Sequence, residues 1–226
     1  MRTFVLVHGA GDSSWSWHLV ANELRARGHD LIAPDLPAGN DAFTLNDYAE
    51  HVVARIGDRN NITVVGHSFG GFTAPIVADL VHADQLIYVA GMVPAPGETP
   101  EAWWKNTGFN DAVAKQAEID GGLTGHEDPF IGFMHDVPHH LAEEAMSRGL
   151  DHSTQAAVSQ LWPLESLPDI PTRFVLCRDD RFFPADLFRR LVPERLGIIP
   201  EEIDGSHCVM LADPIAVANV LLSLVD

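Results

Sequence analysis

Two rhythms of apolar and polar residues alternate along this chain. Short, nearly uninterrupted apolar runs at residues 4–7, 31–33, 62–66, 86–90 and 174–177 predict strands buried on both faces, and residues 198–203 are strand-like. Between them lie stretches with apolar residues at helical spacing. Residues 15–27 carry Trp15, Leu19 and Leu24, and Gly28 ends them. Thr44 begins a second helix, with Leu45, Tyr48, Val52 and Ile56 on one face. Residues 69–81, 186–191 and 214–225 read as further helices, the last with Pro214 near its first turn. Buried strands alternating with helices predict a mostly parallel sheet flanked by helices. In such sheets the functional site lies beyond the carboxyl ends of the strands. The strand-end residues that merit scrutiny are therefore His8, Gly9, Ala10, Asp35, Ser68, Asp179, Asp180 and His207.

Residues 93–168 break this rhythm. They are rich in Pro, Gly and His and carry Trp103, Trp104, Phe109, Phe130, Phe133, Met134 and Trp162. A structureless loop of that length does not suit a compact domain. The segment is expected to form a small helical lid, with helices near 100–107, 111–116, 138–147 and 154–161. It divides the core into residues 1–92 and 169–226. Each aromatic residue alone serves to pack the lid on the sheet. As a group they suit the wall of an apolar acyl or aromatic pocket.

The length of 226 residues fits one domain. No apolar run is long enough to span a bilayer, and the first strand begins at once, without the pattern of a signal peptide. The expected location is cytoplasmic. A formal net charge of −18 argues against nucleic acid and anionic membrane surfaces as partners. Cys177 and Cys208 are too few for a disulfide framework. His126, His135, His139 and His140 lack a helical pair with a carboxylate partner, so neither metal nor cofactor is expected. Monomer and homodimer are both open.

The stretch that organises the rest is Gly66-His67-Ser68-Phe69-Gly70. It lies where an apolar strand turns into a helix. A nucleophile on so tight a turn needs nearly side-chain-free neighbours two positions before and two after. The turn would expose the Ser68 hydroxyl and aim the Phe69 N–H at the same point. Serine is a weak nucleophile at neutral pH, so it needs a base, and the base needs an anion to fix its tautomer. In chain order for this architecture the acid follows the serine and the histidine comes last. His207, on the turn Asp204-Gly205-Ser206-His207, suits the base. Either Asp179 or Asp180 suits the acid, the other facing solvent or an arginine. The loop His8-Gly9-Ala10-Gly11 suits the second oxyanion donor, with the Ala10 N–H as candidate and His8 orienting the loop.

These residues resemble the α/β-hydrolase fold superfamily over essentially the whole chain. The resemblance rests on residues 4–10 with Trp15 and Trp17, on Ala33-Pro34-Asp35-Leu36, on residues 66–71, on residues 177–184 and on Gly205-Ser206-His207. Within the superfamily the chain is similar to a compact group of plant methyl-ester esterases, bacterial pyrethroid-type esterases and plant hydroxynitrile lyases. That group's pattern, Cys-x-x-Asp followed by a basic residue, falls on Cys177, Asp180 and Arg181, and so favours Asp180 as the acid. The resemblance implies a serine hydrolase acting on small carboxylic esters through an acyl-enzyme, without cofactor. The alternatives are a lyase and a ligand-binding relative of the fold. The lyases carry a lysine after the histidine and a threonine in the first-strand loop, where this chain has Cys208 and Gly9-Ala10.

Overall fold

The computed structural model describes residues 1–37, 39–150, 152 and 154–225; residues 38, 151, 153 and 226 lie outside it, two of them within the inserted segment. Its centre is a six-stranded, fully parallel sheet. The strands are β1 (Thr3–Val7), β2 (Asp30–Ile32), β3 (Ile62–His67), β4 (Gln85–Val89), β5 (Thr172–Cys177) and β6 (Glu201–Ile203). Their order across the sheet is β2-β1-β3-β4-β5-β6. This is the parallel sheet expected from the apolar runs.

Side chains alternate across a strand, and here both faces are covered. Val5, Val7, Val64, Tyr88, Phe174 and Leu176 point into one core, packed by α2 (Leu45–Ile56), α3 (Gly70–Leu80) and α9 (Ala185–Leu196). Phe4, Leu6, Val65, Ile87, Val89 and Val175 point into the other. That face is packed by α1 (His18–Ala26), the short α10 (Val209–Ala212) and α11 (Pro214–Ser223). Thr44 caps α2 in a reciprocal box with Asp47, Thr44 N–H donating to Asp47 Oδ2 at 2.8 Å and Asp47 N–H to Thr44 Oγ1 at 3.3 Å.

Between β4 and β5 run α4 (Pro100–Asn106), α5 (Phe109–Asp120), α6 (Pro129–Gly132), α7 (His139–Arg148) and α8 (Gln155–Ser159). This cap is pinned to the core by a buried ion pair. Arg195 of α9 meets Glu98 through two bonds of 2.6 and 2.9 Å and also donates to the Val93 carbonyl at 2.6 Å. Trp162 Nε1–H donates to the Phe72 carbonyl, 3.1 Å away.

Several element boundaries differ from expectation. The first helix begins as a tight turn, Ser14–Trp17, before α1. The last strand starts only at Glu201, because Pro200 has no N–H to offer the sheet. α9 continues past Leu191 through Pro193 to Leu196, and Gly197 ends it with φ at 67°.

Candidate active site

The register aligns the carboxyl ends of the strands along one edge: Val7 pairs with Gly66, His67 with Val89 and Cys177 with Ile203. The loops after β1, β3, β5 and β6 bring residues 8–12, Ser68, Asp180 and His207 to that edge.

Ser68 stands at the corner between β3 and α3 with φ of +49°, a left-handed conformation that a residue bearing a Cβ adopts at a cost of about 1–3 kcal/mol. The corner is too crowded for side chains on either flank. A Cβ on Gly66 would lie 2.7 Å from that of Ala74, and one on Gly70 would lie 2.5 Å from the His8 carbonyl oxygen. The Gly71 and Met92 amides both donate to the Ser68 carbonyl, at 3.0 and 2.9 Å, and hold the strained turn.

His207 follows β6 on a turn braced from several sides. Ser206 N–H donates to Asp136 Oδ2 at 2.8 Å, and Cys208 N–H donates to the Phe133 carbonyl at 3.2 Å. His67 Nε2–H donates to the His207 carbonyl at 3.0 Å, and the two rings sit 4.7 Å apart. Burial and the neighbouring His207 push His67 well below the usual histidine range, so it is a neutral prop.

Asp180, at the end of β5, is the acid that meets His207. Its Oδ2 accepts from His207 Nδ1 at 2.8 Å, with both side chains buried. Its Oδ1 accepts the Phe182 and Phe183 N–H groups at 2.8 and 2.9 Å. Asp179 points elsewhere. Its Oδ2 accepts the Gly205 N–H at 3.1 Å, bracing the His207 loop from the exposed side, and among the described residues no arginine pairs with it.

His8 orients the first loop. Its Nε2 accepts the Leu36 N–H at 3.0 Å, which leaves Nδ1–H to donate to the Gly9 carbonyl at 2.8 Å. Burial, reinforced by His152, lowers its pKa from 6.5 to about 4. The loop then passes so close to Ser68 that a Cβ on Gly9 would lie 2.9 Å from Ser68 Cβ and 3.4 Å from its Oγ.

A cavity of about 390 Å³ joins these parts, a volume that suits a small organic ligand. Gly9, Ala10, Ser68, Phe69 and His207 line it together. Of the large apolar cap residues, Trp104, Phe133 and Met134 reach the cavity, whereas Trp103 and Trp162 are buried in the core. Asp35 lies outside it, accepting the Ser14 N–H at 2.7 Å. Two residues of the site went unnoticed in the sequence: His67, the prop of His207, and Asp12, a carboxylate in the cavity wall.

The model of the alpha/beta hydrolase family matches residues 4–220. The chain belongs to that family. A relative, norfluorocurarine synthase 1 of Strychnos nux-vomica, is 25% identical over 258 residues, covering 100% of this chain and 96% of the relative. Methylesterase 2 of Arabidopsis thaliana is 25% identical over 263 residues, covering 99% and 95%. The crystal structure of polyneuridine aldehyde esterase superposes with a TM-score of 0.77 at 20% identity, covering 100% of both chains. An alpha/beta hydrolase with esterase relatives is thus established, and the solved structure confirms the fold.

Proposed function

We propose that this hydrolase is a serine esterase that cleaves small carboxylic esters with an apolar or aromatic part. The observation that carries the reading is the buried His207–Asp180 bond of 2.8 Å, on the same cavity as a serine held at positive φ. Asp180 accepts from His207 Nδ1–H, which leaves Nε2 with its lone pair as the base. Ser68 attacks the ester carbonyl and His207 takes its proton. The Ala10 and Phe69 N–H groups receive the negative charge on the carbonyl oxygen. His207 then hands the proton to the leaving alcohol. Water enters with His207 as base, and the acyl-enzyme is released as the acid. Trp104, Phe133, Phe182 and Met134 supply the apolar wall for the substrate.

The lyase alternative loses support at Gly9, where the contact with Ser68 leaves no room for a threonine side chain, and at Cys208, which brings no cation to the site.

The test is covalent labelling with a fluorophosphonate, together with hydrolysis of p-nitrophenyl acetate. Wild type should label and show a burst, and Ser68→Ala should do neither. Labelling that persists in Ser68→Ala would refute the assignment.

A further inference from the structure

Asp12 is the only acidic residue lining the Ser68 cavity among the described residues. It follows the oxyanion loop directly, and its Oδ1 accepts the Ser13 N–H at 2.7 Å. Among the described residues no arginine or lysine pairs with it. The groups that face it are Ser13 and Ser16 from its own loop, Asp35 from the loop after β2, and His207 and Cys208 from the turn after β6. Among the described residues of the cap, the Leu150 N–H donates to the Asp12 carbonyl at 3.3 Å. The remaining cavity wall is mostly apolar, with the faces of Trp104, Phe133 and Phe182 and the thioethers of Met92, Met134 and Met146.

A carboxylate half-buried in a mostly apolar wall without a cation is a costly arrangement. Burial raises the pKa of Asp12 from 3.8 to about 6, although the Ser16 and Ser13 hydrogen bonds and His207 pull the other way. A positive charge placed beside it would favour the ionised form and remove much of the cost. Aromatic faces across the same cavity attract cations as well.

We propose that Asp12 sets substrate choice, selecting esters whose acyl or alcohol part carries an ammonium group and disfavouring those that carry a carboxylate. This rests on the serine-esterase reading above. The substrate supplies the cation that the protein omits.

The test compares charge at constant shape. One pair is acetylcholine, the acetate ester of choline, and its neutral carbon isostere, in which a tert-butyl group replaces trimethylammonium. The other is the p-nitrophenyl ester of a trimethylammonium-terminated butanoate and that of its tert-butyl-terminated isostere. In at least one pair, wild type should favour the cationic member by about tenfold or more in kcat/KM. Asp12→Asn should bring that ratio close to unity. Within each pair, loss of folded protein cancels from the ratio. In wild type the ratio should also climb as pH rises through about 6, where Asp12 ionises. Calorimetric binding of choline reads the preference without turnover and should weaken about tenfold in Asp12→Asn. A wild-type ratio at or below unity in both pairs, a ratio that survives Asp12→Asn, or choline binding equal in the two proteins overturns the inference. If instead neither neutral isostere is cleaved and Ser68 does not label, the esterase reading fails, and choline binding still decides the role of Asp12.

Discussion

Replacing Asp180 by asparagine changes one atom's chemistry, and the surrounding hydrogen bonds dictate the consequence. The Phe182 and Phe183 amides both donate to Oδ1, at 2.8 and 2.9 Å. In Asp180→Asn that position must hold the amide oxygen, because an NH₂ there would face two donors. The NH₂ then takes the place of Oδ2, 2.8 Å from His207 Nδ1. A donor at that point requires Nδ1 to accept, so the ring proton moves to Nε2. The lone pair that should receive the Ser68 proton is gone. A wrong-tautomer histidine in a serine triad lowers turnover by about four orders of magnitude, or about 5.5 kcal/mol of transition-state stabilisation. The backbone amides keep their acceptor, so the fold should survive. The assay is kcat/KM on p-nitrophenyl acetate, with the melting temperature as a check on folding. Asp179→Asn is the control and should cost no more than about tenfold, since Asp179 only braces the Gly205 turn. If folded Asp180→Asn stays within about tenfold of wild type, or if Asp179→Asn proves the more damaging, the argument from hydrogen-bond polarity is wrong.

Two further predictions concern stability. Because Ser68 sits at φ of +49°, Ser68→Gly should be more stable than Ser68→Ala by up to about 1 kcal/mol in urea unfolding, the reverse of the usual order for glycine and alanine. His8 binds its proton less readily in the folded protein, at about 4 against 6.5, so between those values the unfolded chain holds more protons and stability rises with pH. The contribution is fully present above about 6.5 and is lost as pH falls toward 4; it amounts to about 3 kcal/mol, and urea midpoints of wild type and His8→Gln across that range should converge at the acid end.

The strands β1 to β5 were legible as largely apolar runs, and α1, α2 and α9 because each presents a single apolar face, while α3 is buried nearly all round. What escaped has physical reasons. α5 buries no residue fully, so its period is faint and its span of Phe109–Asp120 exceeds the expected 111–116. The short elements α6 and α10 are about one turn long, too brief to show a period. At the site, the residue types and their order along the chain were readable, but adjacent acids such as Asp179 and Asp180 differ only in which way the chain turns after β5. Asp12 gave no signal because a lone acid in a Gly/Ser loop resembles solvated surface. Its place in the cavity depends on segments far away in sequence.

The sheet order also bears on how the protein assembles. β3 and β4 join through a single helical crossover, whereas the β4–β5 seam must bring Leu86 beside Thr172 across the whole cap. Closing so long a loop is entropically costly and is repaid only once that seam zips. Ser68 lies on one side of the seam, and Asp180 and His207 lie on the other. A chain refolding from denaturant should therefore shape its serine corner before it can use it. Recovery of fluorophosphonate reactivity then becomes a clock for closure of the seam, trailing any signal that reports only the amino-terminal strands.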